Sequence, residues 1–199
     1  LRYGRSLCRY VRQWELRIRV IQAQTRSRAQ SIFGLLRLPI LDSSMICYFS
    51  GTGNTRLVAE ALGALLDDAI TPITTAPPII EDVTLGLVFP IYAWGMPEIF
   101  AKWLKDVKIS AQVSYIYMVC TCGDDIGCTD KTLRKSLHIH HQRSLQAAFS
   151  LRMPNTYVSL PGFDVDSEAL AEQKLVVARE ELKVIAEHIR LRHQIVQVV

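Results

Sequence analysis

The hexapeptide Ser50-Gly51-Thr52-Gly53-Asn54-Thr55 combines two glycines with four small hydrogen-bonding side chains. It follows a short apolar run, Met45–Phe49, and precedes a stretch whose spacing turns helical, with Leu57, Ala61, Leu62, Leu65 and Leu66 on one side. A strand, a glycine-rich turn and a helix start together make an anion site. Backbone N–H groups and the positive end of the helix dipole converge there, and glycines let the backbone approach the ligand. Ser50, Thr52, Asn54 and Thr55 would add neutral hydrogen bonds. A phosphate cradle is one reading, and an ordinary turn capped by Asn54 or Thr55 is the other. The triphosphate loop G-x-x-x-x-G-K-[ST] needs a lysine that does not follow Gly53, and the dinucleotide pattern G-x-G-x-x-G needs a glycine where Arg56 stands. A cysteine phosphatase would place its nucleophile in the turn, whereas Cys47 lies in the strand. An uncharged, hydroxyl-rich loop suits a phosphate that stays bound rather than one being transferred.

Two further stretches stand out. Phe89-Pro90-Ile91-Tyr92-Ala93-Trp94-Gly95-Met96-Pro97 carries two prolines that restrict it and a glycine, Gly95, that allows a backbone flip. Tyr92 and Trp94 either stack on something flat or turn inward as core aromatics. The other stretch is Thr121-Cys122-Gly123-Asp124-Asp125-Ile126-Gly127-Cys128. Its C-x-C-x5-C spacing, counted from Cys120, fits no zinc or iron–sulfur signature. Buried free thiols are the plainer reading, with a redox pair at Cys120 and Cys122 conceivable. His138, His140 and His141 lack a carboxylate at motif spacing and are expected to form a solvated cluster favoured by a helix C-terminus.

The elements that must position these stretches alternate between strand and helix. Strands are expected at Met45–Phe49, Ile70–Ile73, Thr84–Phe89, Val113–Val119 and Ala147–Leu151, with a Pro-containing connection at 76–80. Helices are expected from Arg56, over Pro97–Val107 with Ile99, Phe100, Trp103, Leu104 and Val107 inward, and over Asp130–His141. A last helix, Ser167–His193, would be capped by Asp166 or Ser167 and apolar along Leu170, Leu175, Val176, Leu182, Ile185, Ala186 and Ile189. Five strands alternating with helices imply an α/β fold with a doubly wound, five-stranded parallel sheet. Ligands of such sheets bind beyond the strand carboxyl ends, where the strand order switches. The stretches after strands one, three and four should therefore face one site.

The 199 residues suffice for one domain with a real core. No run of eighteen apolar residues occurs, so no membrane span is expected. The net charge of +4 is unevenly placed. Residues 1–44 hold nine arginines against Glu15 and Asp42, a net +7, whereas the remainder nets −3. The basic balance thus belongs to the leader, and a nucleic-acid partner inferred from global charge would mislead. The leader is Arg-rich and acid-poor like a transit peptide, and the first methionine is Met45. An upstream, unstructured or non-native extension is the bland reading, a nucleic-acid or membrane-surface arm the alternative, and Trp14–Gln22 fits helix or strand equally. The domain proper is expected over 45–199. Five cysteines make no even disulfide framework, which favours a reducing, cytoplasmic setting.

The S-x-T-G-N-T motif at Ser50, Thr52, Gly53, Asn54 and Thr55 resembles the FMN-phosphate loop of flavodoxins. The Pro-x-Tyr-x-Trp-Gly-x-Pro and Cys122-Gly123-Asp124 stretches resemble their ring-binding loops. With Met153-Pro154-Asn155-Thr156-Tyr157, these motifs are similar to the flavodoxin domains fused to two-cluster ferredoxins. The likeness covers about residues 45–192, and no C-x2-C-x2-C-x3-C-P ferredoxin run is present. The resemblance implies strand order 2-1-3-4-5 and FMN held by Ser50–Thr55, Pro90–Gly95 and Thr121–Asp124. It implies an electron carrier working through flavin semiquinone and hydroquinone, with a ferredoxin-type or reductase partner. A carbonyl at Trp94-Gly95 would then meet flavin N5, and Asp124 and Asp125 would disfavour an anionic reduced flavin. No second aromatic follows Asp124, unlike the common flavodoxin pattern. An FMN-dependent NAD(P)H reductase and a binding module that has lost its flavin remain as alternatives.

Overall fold

The computed structural model describes residues 43–156 and 165–199. The leader, apart from its last two residues, and Tyr157 lie outside these. The described chain runs β1 (Ser44–Tyr48), α1 (Asn54–Leu66), β2 (Ala69–Pro72), β3 (Ile79–Ile80), β4 (Thr84–Pro90), α2 (Glu98–Asp106), β5 (Lys108–Ile109), β6 (Tyr115–Cys122), α3 (Thr129–His141), β7 (Ala147–Arg152), α4 (Glu168–Arg190) and β8 (Ile195–Gln197).

The main sheet has the order β2-β1-β4-β6-β7-β8, and every neighbouring pair is parallel. From β1 the chain goes to β2 on one side, then crosses back to β4 on the other. The order therefore switches between β1 and β4. Apolar residues alternate to the two faces of each inner strand. Tyr115, Tyr117 and Val119 of β6 join Val88, Phe149 and Leu151 beneath α1 and α4. Ile116, Met118 and Cys120 join Leu85, Leu87 and Phe89 beneath α2 and α3. Both faces are covered, which is why β4 and β6 read as nearly continuous apolar runs.

Three expectations need correction. The sheet has six strands, not five, because β8 pairs with β7. The last helix stops at Arg190: Arg192 takes a left-handed backbone (φ 51°) and the His193 N–H bonds back to the His188 carbonyl at 3.0 Å. The stretch 76–80 contains β3, which pairs with β5 in a separate two-stranded sheet. Some helix faces also differ. Leu170, Val176 and Ile99 are exposed; α4 buries the expected Leu182, Ile185, Ala186 and Ile189, with Ala171 and Ala178 in addition. Ser167 caps α4, accepting from the Leu170 N–H at 3.3 Å.

His141 is half-buried, unlike the exposed His138 and His140. Its Nε2 meets the Leu104 carbonyl at 2.6 Å, pinning the end of α3 to α2. Burial holds its pKa below the usual 6.5, against an opposing effect of that carbonyl. The unfolded chain then takes up this proton first as pH falls, so the stabilisation is present above the ordinary value and lost on acidification through the folded pKa. Denaturant titrations at pH 8 and pH 5.5 should show lower stability at the acid end, with a smaller difference in His141→Gln.

Candidate functional site

The ends of β1, β4, β6 and β7 open onto one cleft of about 260 Å³ at the switch in strand order. It is lined by Thr52, Asn54 and Thr55 from the first loop, Pro90, Ile91 and Tyr92 from the second, Thr121, Cys122 and Gly123 from the third, and residues 153–156 beyond β7. Sequence reasoning placed the first nine at a site. It noticed 153–156 only as part of a resemblance, although the rule that ligands lie beyond strand carboxyl ends applies equally to β7.

In the first loop, Gly53 is left-handed (φ 107°) and sits at the N-cap of α1 with no side-chain cap. The first-turn N–H groups of a helix have no intrahelical acceptor, so an uncapped start suits an anion. Ser50 faces inward on this loop, its Oγ accepting from the Gly53 N–H at 3.2 Å. Asn54 is neither a cap nor turned fully to the cleft: its Nδ2 donates to the Pro154 carbonyl at 3.0 Å. Thr55 and Thr121 meet hydroxyl to hydroxyl at 2.8 Å and are both buried. One bond uses one of their two protons, which leaves the other for a third partner.

The second loop is bent by a mirror-image turn. Tyr92 and Gly95 exchange backbone hydrogen bonds at 2.9 and 3.0 Å, and the two residues between them, Ala93 (φ 46°) and Trp94 (φ 59°), are left-handed. The unusual backbone thus falls on two non-glycines, not on Gly95. Both aromatics are exposed, so neither is a core residue. Tyr92 lines the cleft, stands edge-on to Phe49 with ring centres 6.4 Å apart, and lays its hydroxyl over Gly51, where a Cβ would be 2.1 Å from it. Trp94 sits outside the cleft wall. Its indole N–H points at Asp125 Oδ2 at 3.4 Å and its carbonyl accepts from Thr129 Oγ1 at 3.2 Å. The Gly95 carbonyl is taken by the Tyr92 N–H.

The third loop begins at Gly123 rather than Thr121, because Thr121 and Cys122 are the last residues of β6. Gly123 has no room for a side chain: a Cβ would stand 2.1 Å from Asn155 Oδ1. Asp124 is exposed beyond the cleft, its carbonyl accepting from Arg152 Nε at 3.1 Å. Asp125 holds the Gly127 N–H at 2.9 Å.

The two thiols at the end of β6 are buried. Cys120 and Cys122 donate to the β7 carbonyls of Phe149 (3.4 Å) and Leu151 (3.7 Å). Burial pushes the Cys120 thiol far up and the Cys122 thiol up to about 11, while Cys47 is raised to about 12. Cys128 alone of the four described cysteines is exposed. Brief alkylation of the native protein, read by peptide mass, should label Cys128 and spare Cys47, Cys120 and Cys122 until denaturant is added.

A parallel sheet in the order β2-β1-β4-β6-β7, with helices on both faces, is the flavodoxin-like fold, and this chain has it. A protein described as a flavoprotein from Bacteroides uniformis has the same fold, with a TM-score of 0.50 and 14% identity, over 73% of this chain and 98% of that one. Other similar structures are a flavodoxin from the domain Archaea (TM-score 0.47, 13% identity, 74% and 99% covered) and the two-electron reduced Megasphaera elsdenii flavodoxin (0.47, 13%, 72% and 98%). No protein-family model matches the chain, and no curated protein matches its sequence. No helix among the described residues is long and apolar enough to cross a membrane.

Proposed function

We propose that the cleft binds FMN and that the protein carries single electrons between redox partner proteins of the ferredoxin or reductase type. The observation carrying this is the donor set. An uncapped helix start meets the neutral hydroxyls of Thr52 and the Thr55–Thr121 pair at the sheet's switch point. These groups suit a phosphate that is held and not transferred. Ser50, Gly51, Gly53 and Asn54 shape that loop: Gly51 by admitting Tyr92, Gly53 by its left-handed backbone, Asn54 by its bond to Pro154. Pro90, Ile91 and Tyr92 would flank the ring on one side, and Thr121, Cys122 and Gly123 would border it on another. Ala93, Trp94 and Gly95 form the turn that presents Tyr92, and Asp124 extends the rim.

The bound flavin would supply reversible one-electron chemistry. This chain's residues would orient it and keep water from its buried side. The titratable groups lining the cleft are Cys122 and Tyr92, and a thiol held near 11 provides no thiolate nucleophile at neutral pH. Exposed Tyr92 and Trp94 at the mouth leave an aromatic surface for a partner to approach. The likeness in fold to a flavoprotein supports the reading.

The test is a visible spectrum of the full chain after adding FMN and removing the excess. A retained flavin near one per chain that photoreduces, with no NAD(P)H consumed by the loaded protein alone, is the expected result. Steady NAD(P)H oxidation would make it a reductase. No retained flavin would overturn the FMN reading altogether.

A further inference from the structure

The segment Met153–Thr156 is stitched to three separate parts of the molecule. The Met153 N–H donates to the Cys122 carbonyl at 2.8 Å, and the Pro154 carbonyl accepts from Asn54 Nδ2 at 3.0 Å. The Asn155 N–H donates to Asp166 Oδ2 at 2.9 Å, and Thr156 Oγ1 lies 3.4 Å from Thr52 Oγ1. Asp166 is itself held by Lys174 of α4 at 2.7 Å, and their side chains are only 9% and 16% exposed. A charged anchor so well shielded fixes the Asn155 backbone far better than a surface contact would.

What this anchor presents is a carboxamide. The Asn155 carboxamide meets Gly123 oxygen-first, with Oδ1 2.1 Å, Cγ 3.0 Å and Nδ2 3.3 Å from where a Cβ would stand, so glycine is required there for close approach. The carboxamide makes no hydrogen bond among the described residues, and the residue lines the cleft. Half-buried, with its polar atoms within reach of the cleft, this amide offers one acceptor and two donors side by side to a ligand there. Their natural complement is a planar heterocycle carrying adjacent ring N–H and C=O groups.

Resting on the FMN reading, we infer that Asn155 is a specificity-determining residue that reads the imide edge of the flavin ring, and that Asp166 is its positioning residue. The phosphate end of the ligand is read by the first loop and the ring end by Asn155, with Pro154 linking the two. Selection then favours rings with an amide-like edge over other phosphorylated compounds.

The experiment compares the wild-type full chain with Asn155→Ala and Asp166→Ala. Flavin fluorescence quenching gives the FMN Kd, and the shift in melting temperature with inorganic phosphate reports the first loop separately. An FMN Kd raised about tenfold in each variant, with the phosphate-induced shift unchanged, is the expected result. Asn155→Ala binding FMN as tightly as wild type would overturn the inference, and so would parallel loss of the phosphate response, which would place the residue's effect in the first loop. Asp166→Ala keeping wild-type affinity while Asn155→Ala loses it would remove the positioning role. A wild-type chain that binds no FMN overturns the FMN reading itself, and this inference with it.

Discussion

Gly86→Ala is expected to lower stability by about 3 kcal/mol, among the largest effects of adding one methyl group to a packed core. Gly86 lies mid-strand in β4, paired with Tyr117 of β6. The Tyr117 ring covers it: an added Cβ would stand 2.4 Å from Oη, 2.6 Å from Cζ and 2.9 Å from Cε2. Tyr117 is fully buried, so its ring has no open space to retreat into. For a chain of this size the loss corresponds to a drop of about 6–12 °C in Tm. Tyr117→Leu removes the three clashing atoms, and in the Gly86→Ala background it should cost much less than in wild type. Additive losses in that double-variant cycle would show that the clash is not the cause. The Tyr117 hydroxyl also has no hydrogen-bond partner among the described residues, and burial drives its pKa well above 10. Tyr117→Phe should therefore be neutral or stabilising by up to about 1 kcal/mol.

Thr52→Glu should abolish useful FMN binding. Thr52 lines the cleft beside an uncapped helix start, so a carboxylate there would share the site proposed for the phosphate. Two like charges a few ångströms apart at a partly shielded surface repel by about 3 kcal/mol, a Kd raised about a hundredfold or more. Because Thr52 is exposed, the fold should persist, and far-ultraviolet circular dichroism checks that. Riboflavin, which lacks the charge, should be affected far less. An unchanged FMN Kd in Thr52→Glu would mean that the phosphate does not sit at this loop.

Much of the architecture could be read from residue patterns, for physical reasons. The runs at Thr84–Phe89 and Val113–Val119 are apolar because both sheet faces are covered, and the intervening segments carry helical spacing because one face of each packs on the sheet. The first loop stood out because glycines and hydroxyls interrupt a strand-to-helix junction. The missed elements are those with little local signal. Strands β3 and β5 have two residues each, and β3 follows Pro77-Pro78. Strand β8 was hidden because Leu191-Arg192-His193 continues the helix-compatible sequence, while the actual stop comes from a left-handed Arg192 that no glycine or proline announces. Exposure of Leu170 and Val176 was invisible for a related reason: α4 has more apolar residues than its buried face requires.

Within the site, single-residue chemistry was legible and pairing was not. Tyr92 reaches the cleft, but its seat over Gly51 depends on a contact between loops some forty residues apart. The Thr55–Thr121 hydroxyl pair and the Asn54–Pro154 bond likewise join strand ends that only the folded sheet brings together. The left-handed pair Ala93–Trp94 contradicts local preference, which would place that backbone on Gly95, and such a conflict is typical of a functional loop.

The two rims of the main sheet bear on how the protein behaves when concentrated. A parallel sheet left open at its margins exposes rows of unpaired amides that can template a foreign strand. Among the described residues one rim is β2, four residues ending in Pro72, and the other is β8, three residues long. The long apolar strands β4 and β6 are both interior. An incoming chain would find a few rungs at either margin and a proline that cannot donate at one of them. Both margins thus offer little template for edge-to-edge pairing, and the long apolar strands become available to a foreign chain only when the sheet opens.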